Sequence, residues 1–194
     1  MRIITGLAKG CKLKTPKGQE TRPTADRIKE SLFNILAGDV YEKMVLDIFA
    51  GTGNLGLEAL SRGATGAVFV DQSSESIKVI NENAIHTKLA DKAEIIRGDV
   101  FATMQKLERS GRMFSLVFCD PPYNKDLCQR ALSFLDQSKL LSDDALVVIE
   151  HAREDELDMV FSTLQLLRNQ VYGATTQLSI FTRSSKKEAK EEKQ

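Results

Sequence analysis

The 194-residue sequence predicts an α/β protein whose mostly parallel, seven-stranded sheet ends in an antiparallel hairpin. Two observations lead to this prediction. From residue 44 onward, short and almost wholly apolar runs alternate with longer helical stretches, which is typical of parallel strands covered on both faces. Near the end of the chain, two segments face each other across Gly173 and Ala174, as the strands of an antiparallel hairpin do. A smaller β-hairpin and a helix are expected to precede the sheet.

The N-terminal elements follow from alternation and helical spacing. Residues 2–15 alternate apolar and polar side chains and are interrupted at Ala8, Lys9 and Gly10, which predicts the β-hairpin. After a polar connection, a helix is expected to start with Thr24 as its N-cap and to end at Gly38. Its apolar face is formed by Ile28, Leu32, Ile35 and Leu36.

The sheet strands follow from apolar runs and the helices from the stretches between them. The five predicted parallel strands are MVLDIF (44–49), GAVFVD (66–71), AEIIRGD (93–99), FSLVFCD (114–120) and ALVVIE (145–150). Helices are expected near 54–62, 73–87, 100–109 and 125–136, and the final hairpin at 164–173 and 175–183. We therefore divide the chain into an N-terminal extension (1–40), a domain that contains the sheet (41–183) and a charged tail (184–194).

Charge and composition narrow the class of protein. The net charge is zero, but residues 1–36 hold eight Lys/Arg against three Asp/Glu, so a basic edge lies on an acidic body. This distribution favours a protein that binds a polyanion with one part. No apolar run is long enough to span a membrane or to form a signal peptide, so we expect a soluble cytoplasmic protein. The three cysteines lack metal-binding spacing, no metal site is predicted, and His86 and His151 are interpreted as surface residues.

Acidic residues close the predicted strands. Four of the five apolar runs end in, or just before, an Asp or Glu. Open α/β sheets bind ligands outside the carboxyl ends of their strands, at the point where the strand order reverses. The acidic strand ends should therefore surround one crevice, which we predict to be the active site.

A glycine motif predicts one half of this crevice. Residues 47–56, DIFAGTGNLG, contain G-x-G-x-x-G at Gly51, Gly53 and Gly56, with Asp71 closing the next strand. By itself this is a dinucleotide fingerprint. Asp47, however, would repel a phosphate. A nucleoside with a cationic amino-acid arm, such as S-adenosylmethionine, suits the motif better, with Gly51 and Gly53 approaching the ligand and Asp47 near its ammonium and sulfonium charges.

Neighbouring strand ends extend the predicted cofactor site. Asp71 can accept hydrogen bonds from both ribose hydroxyls. Asp99 either accepts from the adenine amino group or caps the following helix, and both interpretations stay open. The Val100 N–H would face a ring nitrogen, and Phe101 would lie beside the ring. Phe49 and Gln72 are further predicted cofactor contacts.

The stretch CDPPY at 119–123 predicts the other half of the crevice. Pro121 and Pro122 have no N–H and a fixed φ, so they form a rigid rim whose backbone offers acceptors and no donors. Asp120 adds two acceptor oxygens, and Tyr123 adds a flat ring. Such a rim suits a planar group that donates hydrogen bonds, such as the amino group of a nucleic-acid base, and we predict these four residues to be catalytic.

Taken together, these motifs resemble a known enzyme family. DIFAGTGNLG, VFVD, GDVF and DPPY are similar to class I S-adenosylmethionine-dependent methyltransferases, which have a Rossmann-like fold, in the branch that methylates exocyclic amino groups. The segment TRPTADRIKESLFNIL (21–36) resembles the 16S rRNA guanine-N2 methyltransferases of the RsmD type. The resemblance covers residues 1 to about 183.

The resemblance implies methyl transfer to the N2 amino group of a guanine in 16S rRNA, within the 30S subunit or its assembly intermediates, by a monomeric protein. It also implies that the N-terminal extension lies near both the cofactor and the RNA. Predicted cofactor contacts there are Thr24 and Asp26, and predicted RNA contacts are Arg22, Arg27 and Lys29, with Tyr123 stacking on the base.

Three alternatives remain open from the sequence. DPPY and its relatives also suit adenine-N6 or glutamine-N5 methylation. The glycine motif fits an NAD-linked oxidoreductase, which leaves DPPY unexplained. A noncatalytic RNA-binding module would retain the basic extension and have no need of the acidic strand ends.

Overall fold

The computed structural model describes residues 1–16, 23–122, 125–155, 157 and 160–184, and for residues 23–25 and 125 it describes the backbone alone. The described residues form a seven-stranded sheet in the order β3-β2-β1-β4-β5-β7-β6. The strands are β1 Met44–Ile48, β2 Gly66–Asp71, β3 Ala93–Arg97, β4 Phe114–Cys119, β5 Leu141–Ala152, β6 Leu164–Tyr172 and β7 Thr176–Arg183. The α-helices among the described residues are α1 Pro23–Leu36, α2 Asn54–Ser61, α3 Ser74–His86, α4 Val100–Arg109 and α5 Lys125–Gln137.

The strand directions confirm the predicted fold class. Strands β1 to β5 pair in parallel, whereas β7 runs antiparallel to β5 and β6 runs antiparallel to β7. The chain adds β2 and β3 on one side of β1 and then crosses to place β4 on the other side. The strand order therefore reverses between β1 and β4, which is where this kind of sheet forms its ligand crevice.

Helices cover both faces of the sheet. Apolar residues of α1, α2 and α3 pack with one set of strand side chains, and those of α4 and α5 pack with the other. Phe118 lies on the α1 side and Cys119 on the α4 side, as expected from alternation along a strand. Within the described ranges, no helix is long and apolar enough to cross a membrane.

The N-terminal hairpin is present in reduced form. Within residues 1–16, one antiparallel bridge joins Arg2 to Lys12, and no extended strand forms. Some amides of this segment pair within it, as Ile3 N does with Cys11 O at 3.0 Å and Leu13 N with Met1 O at 3.1 Å. Others donate to side chains of the neighbouring helices: Ala8 N to Ser61 Oγ at 3.0 Å and Lys14 N to Asn83 Oδ1 at 2.8 Å. Because side chains of α2 and α3 supply part of the acceptors, the ladder within the segment stays short.

The start of α1 also differs from the prediction. The helix begins at Pro23, so Thr24 lies inside its first turn and is not the N-cap. Proline is favoured at the first helical position because its missing N–H would have had no helical partner there. After α1, a short 3₁₀ turn over Ala37–Val40 leads into β1.

A buried ionic network joins the N-terminal segment to the sheet domain. The Glu58 carboxylate of α2, which has no exposed surface, lies 3.1 Å from Lys29 Nζ and 2.8 Å from Arg62 Nε. The same carboxylate accepts hydrogen bonds from the backbone N–H groups of Ile4 and Thr5, at 2.8 and 3.1 Å. The Glu58 side chain therefore links α2 both to α1, through Lys29, and to residues 4 and 5 of the N-terminal segment.

The histidines have different surroundings. His86 is exposed, as predicted. His151 is buried in β5, so the prediction that it is a surface residue is wrong. Its Nε2 lies 2.8 Å from Ser179 Oγ, which in turn donates to Asn169 Oδ1 at 2.7 Å, so the three last strands are linked through side chains. Burial lowers the pKa of His151.

Candidate active site

Three acidic side chains converge at the carboxyl ends of β1, β2 and β4. Asp47 and Asp71 belong to β1 and β2, and Asp120 follows β4 directly. Burial raises the pKa of Asp47 well above its usual range, and the nearby charges of Asp120 and Asp71 raise it further. The predicted convergence of acidic strand ends is therefore present at the switch point of the sheet.

The loop after β1 has a left-handed backbone at three residues. The φ angles are +62° at Phe49, +55° at Gly51 and +75° at Gly53. A non-glycine residue in this region costs roughly 1–3 kcal/mol, and such strain is concentrated at functional sites. Hydrogen bonds from Ala50 N to Val70 O at 3.1 Å and from Gly53 N to Ala50 O at 2.7 Å hold the loop.

The first and third glycines of the motif have different surroundings. A Cβ added to Gly51 would meet no atom closer than 3.9 Å, so a ligand has room to approach the backbone there. A Cβ added to Gly56 would lie 2.3 Å from Cε1 of Phe69, because α2 packs directly on β2. The Gly56 N–H also donates to Asp47 Oδ2 at 2.9 Å, so Asp47, which is 3% exposed, ties the start of α2 to β1.

We expect Gly56→Ala to destabilise the protein and to weaken cofactor binding. The added methyl group must displace Phe69 or α2, and overpacking of this kind costs about 1–3 kcal/mol. Urea unfolding measures the loss. Gly38→Ala is the matched control, since a Cβ at Gly38 would have no neighbour within 4 Å. Equal unfolding midpoints for the two variants would contradict the close packing of α2 on β2.

Asp71 connects the glycine loop to the end of β2. Its carboxylate accepts hydrogen bonds from Gly51 N and Ser73 N, both at 2.8 Å. Each carboxylate oxygen can accept a second hydrogen bond, so the predicted contact with ribose hydroxyls is compatible with this arrangement. Gln72, the next residue, is exposed.

The segment after β3 contributes Phe101 to an apolar surface that it shares with Phe49. Asp99 caps α4 by accepting from Ala102 N at 2.9 Å, which confirms the capping interpretation and leaves Oδ2 able to accept from a ligand. Val100 is the first residue of α4, so its backbone N–H has no carbonyl partner in the preceding turn of the helix. The Phe101 ring lies 6.5 Å from that of Phe49, edge to face. This apolar surface lies where the adenine ring is predicted.

Asp120, Pro121 and Pro122 form the predicted acceptor rim on the other side of the crevice from the glycine loop. This rim is called the lip. Asp120 retains exposed surface, and desolvation by the neighbouring protein raises its pKa from 3.8 to about 6. Pro121 is buried and Pro122 is exposed. Tyr123 lies outside the described residues, so its predicted catalytic and stacking roles stay predictions.

The N-terminal predictions have mixed outcomes. Arg22 and the Thr24 side chain lie outside the described residues, and Arg27 is exposed. Asp26 has a buried Oδ1 atom that finds no hydrogen-bond partner among the described residues, and its predicted cofactor contact stays a prediction. Lys29 is 1% exposed and its ammonium contacts Glu58, so the prediction that it binds RNA is wrong.

Two residues near the crevice were given no role from the sequence, although Glu150 was among the acidic strand ends expected there. Glu150, on β5, is placed beside Asp120 because Ile149 and Cys119 are partners in the parallel ladder. Its position at the end of an apolar run was the available signal. Arg130 of α5 places its guanidinium 4.1 Å from the centre of the Phe101 ring, and nothing in the sequence pattern indicates that contact.

Comparisons with known proteins agree with this architecture. A family model described as "Conserved hypothetical protein 95" matches residues 1–181. The chain is 37% identical over 175 residues to "Putative rRNA methyltransferase YlbH" of Bacillus subtilis, covering 90% of this chain and 95% of that one. It is 36% identical over 173 residues to "Ribosomal RNA small subunit methyltransferase D" of Escherichia coli K12, covering 89% and 85% of the two chains.

Solved structures give the same result. The structure titled "Putative methyltransferase yhhF from Escherichia coli" superposes with a TM-score of 0.83 at 35% identity, covering 95% of this chain and 98% of that one. An RNA methyltransferase from Salinibacter ruber in complex with S-adenosyl-L-homocysteine shares the fold at a TM-score of 0.64 and 17% identity, covering 86% and 95% of the two chains. The chain therefore belongs to the family described as Conserved hypothetical protein 95, which is the RsmD family.

Proposed function

We propose that the protein transfers a methyl group from S-adenosylmethionine to the exocyclic N2 amino group of a guanine in 16S rRNA. One observation carries this proposal. The glycine loop follows β1 and the Asp120-Pro121 lip follows β4, and these two strands are neighbours at the switch point of the sheet. The names of the relatives support rRNA as the acceptor. We further propose a monomer that acts in the cytoplasm on the 30S subunit or its assembly intermediates.

The residues present fit S-adenosylmethionine. The open side of Gly51 leaves space for the ligand, Asp71 retains acceptor capacity for the ribose, and Asp99 with Phe101 suits an adenine ring. The Asp26 Oδ1 atom, which has no hydrogen-bond partner within the part of the chain that the structure describes, suits an amino-group donor. When bound, the cofactor supplies a methyl group on a sulfonium, which is already an activated leaving group.

The lip then acts on the acceptor base. The N2 nitrogen of guanine is a poor nucleophile because its lone pair is delocalised into the ring. Hydrogen bonds from its two N–H groups to the Asp120 carboxylate and the Pro121 carbonyl would turn the lone pair toward the methyl group and stabilise the developing positive charge. Such positioning contributes about 7–11 kcal/mol in well-oriented reactions. A carboxylate with a pKa of about 6 can then accept the proton that N2 releases.

The N-terminal segment carries exposed basic side chains that can contact the phosphates of an RNA backbone. Phosphate contacts of this kind supply affinity and orientation, and the target base must leave its stack to reach the crevice. We propose that residues 1–40 provide RNA contacts as well as cofactor contacts. The exposed basic residues described there are Arg2, Lys9, Lys12, Lys14 and Arg27.

We expect methyl transfer to decline in acid. Because the pKa of Asp120 is about 6, the neutral acid accumulates as the pH falls through that value, and the charged acceptor for the N2 protons is lost. Well below the pKa, kcat/KM should fall about tenfold per pH unit. Rates measured from pH 5 to 7.5 check this. A profile that is flat, or that rises toward acid, would contradict the assigned role of Asp120.

The function is tested by following a labelled methyl group. Purified protein, labelled S-adenosylmethionine and small-subunit particles or rRNA from cells that lack this enzyme should give label in N2-methylguanine. Label in N6-methyladenine or in protein would replace the proposed acceptor with one of the alternatives. Absence of transfer to RNA and to protein alike would favour the noncatalytic RNA-binding module.

A further inference from the structure

Glu150 is a second carboxyl group of the acceptor lip that the proposed mechanism leaves unused. Cys119 and Ile149 are partners in the parallel ladder between β4 and β5, and both pack on the α4 side of the sheet. Since side chains alternate along a strand, the residues that follow them, Asp120 and Glu150, lie side by side on the opposite face. Glu150 is half-buried, whereas Asp120 is exposed.

The surroundings of Glu150 keep it neutral near pH 7. Burial and, secondarily, the charge of Asp120 raise its pKa to about 8. On the other side of Glu150, the partner on β7 is the apolar Leu178. Cys128 of α5 contacts the Glu150 backbone carbonyl, with Sγ 3.8 Å from the oxygen, and burial raises the pKa of that thiol to about 12. On α1, the ammonium of Lys29 pairs with Glu58 and not with Glu150.

A neutral carboxyl group has one O–H donor and one C=O acceptor in a plane. The guanine edge next to N2 has the complementary pattern, because N1–H donates and O6 accepts. Adenine lacks this pair, since its N1 is an acceptor and no donor adjoins its amino group on that edge.

Building on the proposed function, we propose that Glu150 selects guanine by pairing with N1–H and O6 while Asp120 and Pro121 hold the N2 amino group. Glu150 is thus a specificity-determining residue at the acceptor site. It takes no part in bond making at the methyl group.

Two substitutions separate this role from a structural one. Glu150→Leu removes both hydrogen bonds at similar side-chain size, and kcat/KM for rRNA should fall about 10- to 100-fold with unchanged affinity for S-adenosylhomocysteine. Glu150→Gln retains one donor and one acceptor in the same plane, so it should keep near wild-type activity at pH 7. Asp143→Asn, an exposed position on the same strand far from the crevice, is the control and should behave as wild type.

The base itself supplies a second readout. In the smallest rRNA fragment that the wild type methylates, the target guanine is replaced by 2-aminopurine, which retains the amino group and lacks both N1–H and O6. Wild type should discriminate against this base about 10- to 100-fold, and Glu150→Leu should discriminate little. Equal discrimination by the two proteins would overturn the proposal while leaving the proposed function in place.

The pH profile is the third readout. It compares the wild type with Glu150→Gln, so it can be measured even when Glu150→Leu folds poorly. The carboxyl pair loses its two protons in separate steps, so wild-type activity should fall again as Glu150 ionises near pH 8. Glu150→Gln should keep the acid limb and lose the alkaline one. An alkaline limb that persists in Glu150→Gln would overturn the proposal. Failure of the wild type to methylate guanine would instead show that the proposed function is wrong.

Discussion

Replacement of Asp120 by alanine is expected to lower kcat for methyl transfer by about 10²- to 10³-fold. The carboxylate is the charged half of the lip that follows β4, and its removal leaves the Pro121 carbonyl as the remaining acceptor for the N2 amino group. Both orientation of the nitrogen lone pair and stabilisation of the developing charge are then lost. Stopped-time assays with labelled S-adenosylmethionine and rRNA measure the change.

Cofactor binding distinguishes this role from a general disturbance of the crevice. Asp120→Ala should bind S-adenosylhomocysteine within about threefold of the wild-type affinity, because the cofactor contacts are assigned to other strand ends. Calorimetric titration provides this value. Asp143→Ala, on the exposed part of β5, should leave both activity and binding unchanged. Parallel loss of transfer and of cofactor affinity in Asp120→Ala would show that Asp120 serves the cofactor and not the acceptor.

Replacement of Glu58 by alanine is expected to lower the free energy of unfolding by about 3–5 kcal/mol. Glu58 is fully buried and is the acceptor for the Lys29 ammonium and for the amides of Ile4 and Thr5. Its removal takes the counter-charge from the buried Lys29 ammonium, which keeps hydrogen bonds to Arg2 O and Asn54 Oδ1, and leaves the two backbone N–H groups without their acceptor. Urea unfolding, with the slope m compared between variants, measures the loss.

An exposed ion pair in the same protein supplies the control. Glu94 and Arg112 lie 2.9 Å apart, with side chains 48% and 32% exposed. Because water screens such pairs, Glu94→Ala should cost less than about 1 kcal/mol. Equal costs for the two substitutions would mean that the Glu58 network contributes no more than a surface pair.

The sheet could be predicted because its signal is local. Strands β1, β2 and β4 are apolar runs that are almost wholly buried, and β6 and β7 lie on either side of a turn, so these elements are visible in their own residues. The hairpin over residues 2–15 is less regular than predicted because some of its amides find acceptors on α2 and α3, which are distant in sequence.

The candidate site was predictable to the extent that it follows from strand ends. Asp47, Asp71 and Asp120 meet as expected, since parallel strands deliver their carboxyl ends to one edge. Lys29 was misassigned because a lysine in an amphipathic helix is normally exposed, and its buried partner, Glu58, belongs to another helix. His151 was misassigned for the same reason, since its partner Ser179 comes from β7.

We propose that the Asp120-Pro121 lip faces the methyl donor across the switch point between β1 and β4. A crystal structure with S-adenosylhomocysteine would show this arrangement. The cofactor sulfur should point toward Asp120 and Pro121, with room for an amino nitrogen between them at about 3–3.5 Å from the transferred methyl carbon. A cofactor whose sulfur lies away from this lip, with the Asp120 carboxylate turned into solvent, would rule out the proposed acceptor site.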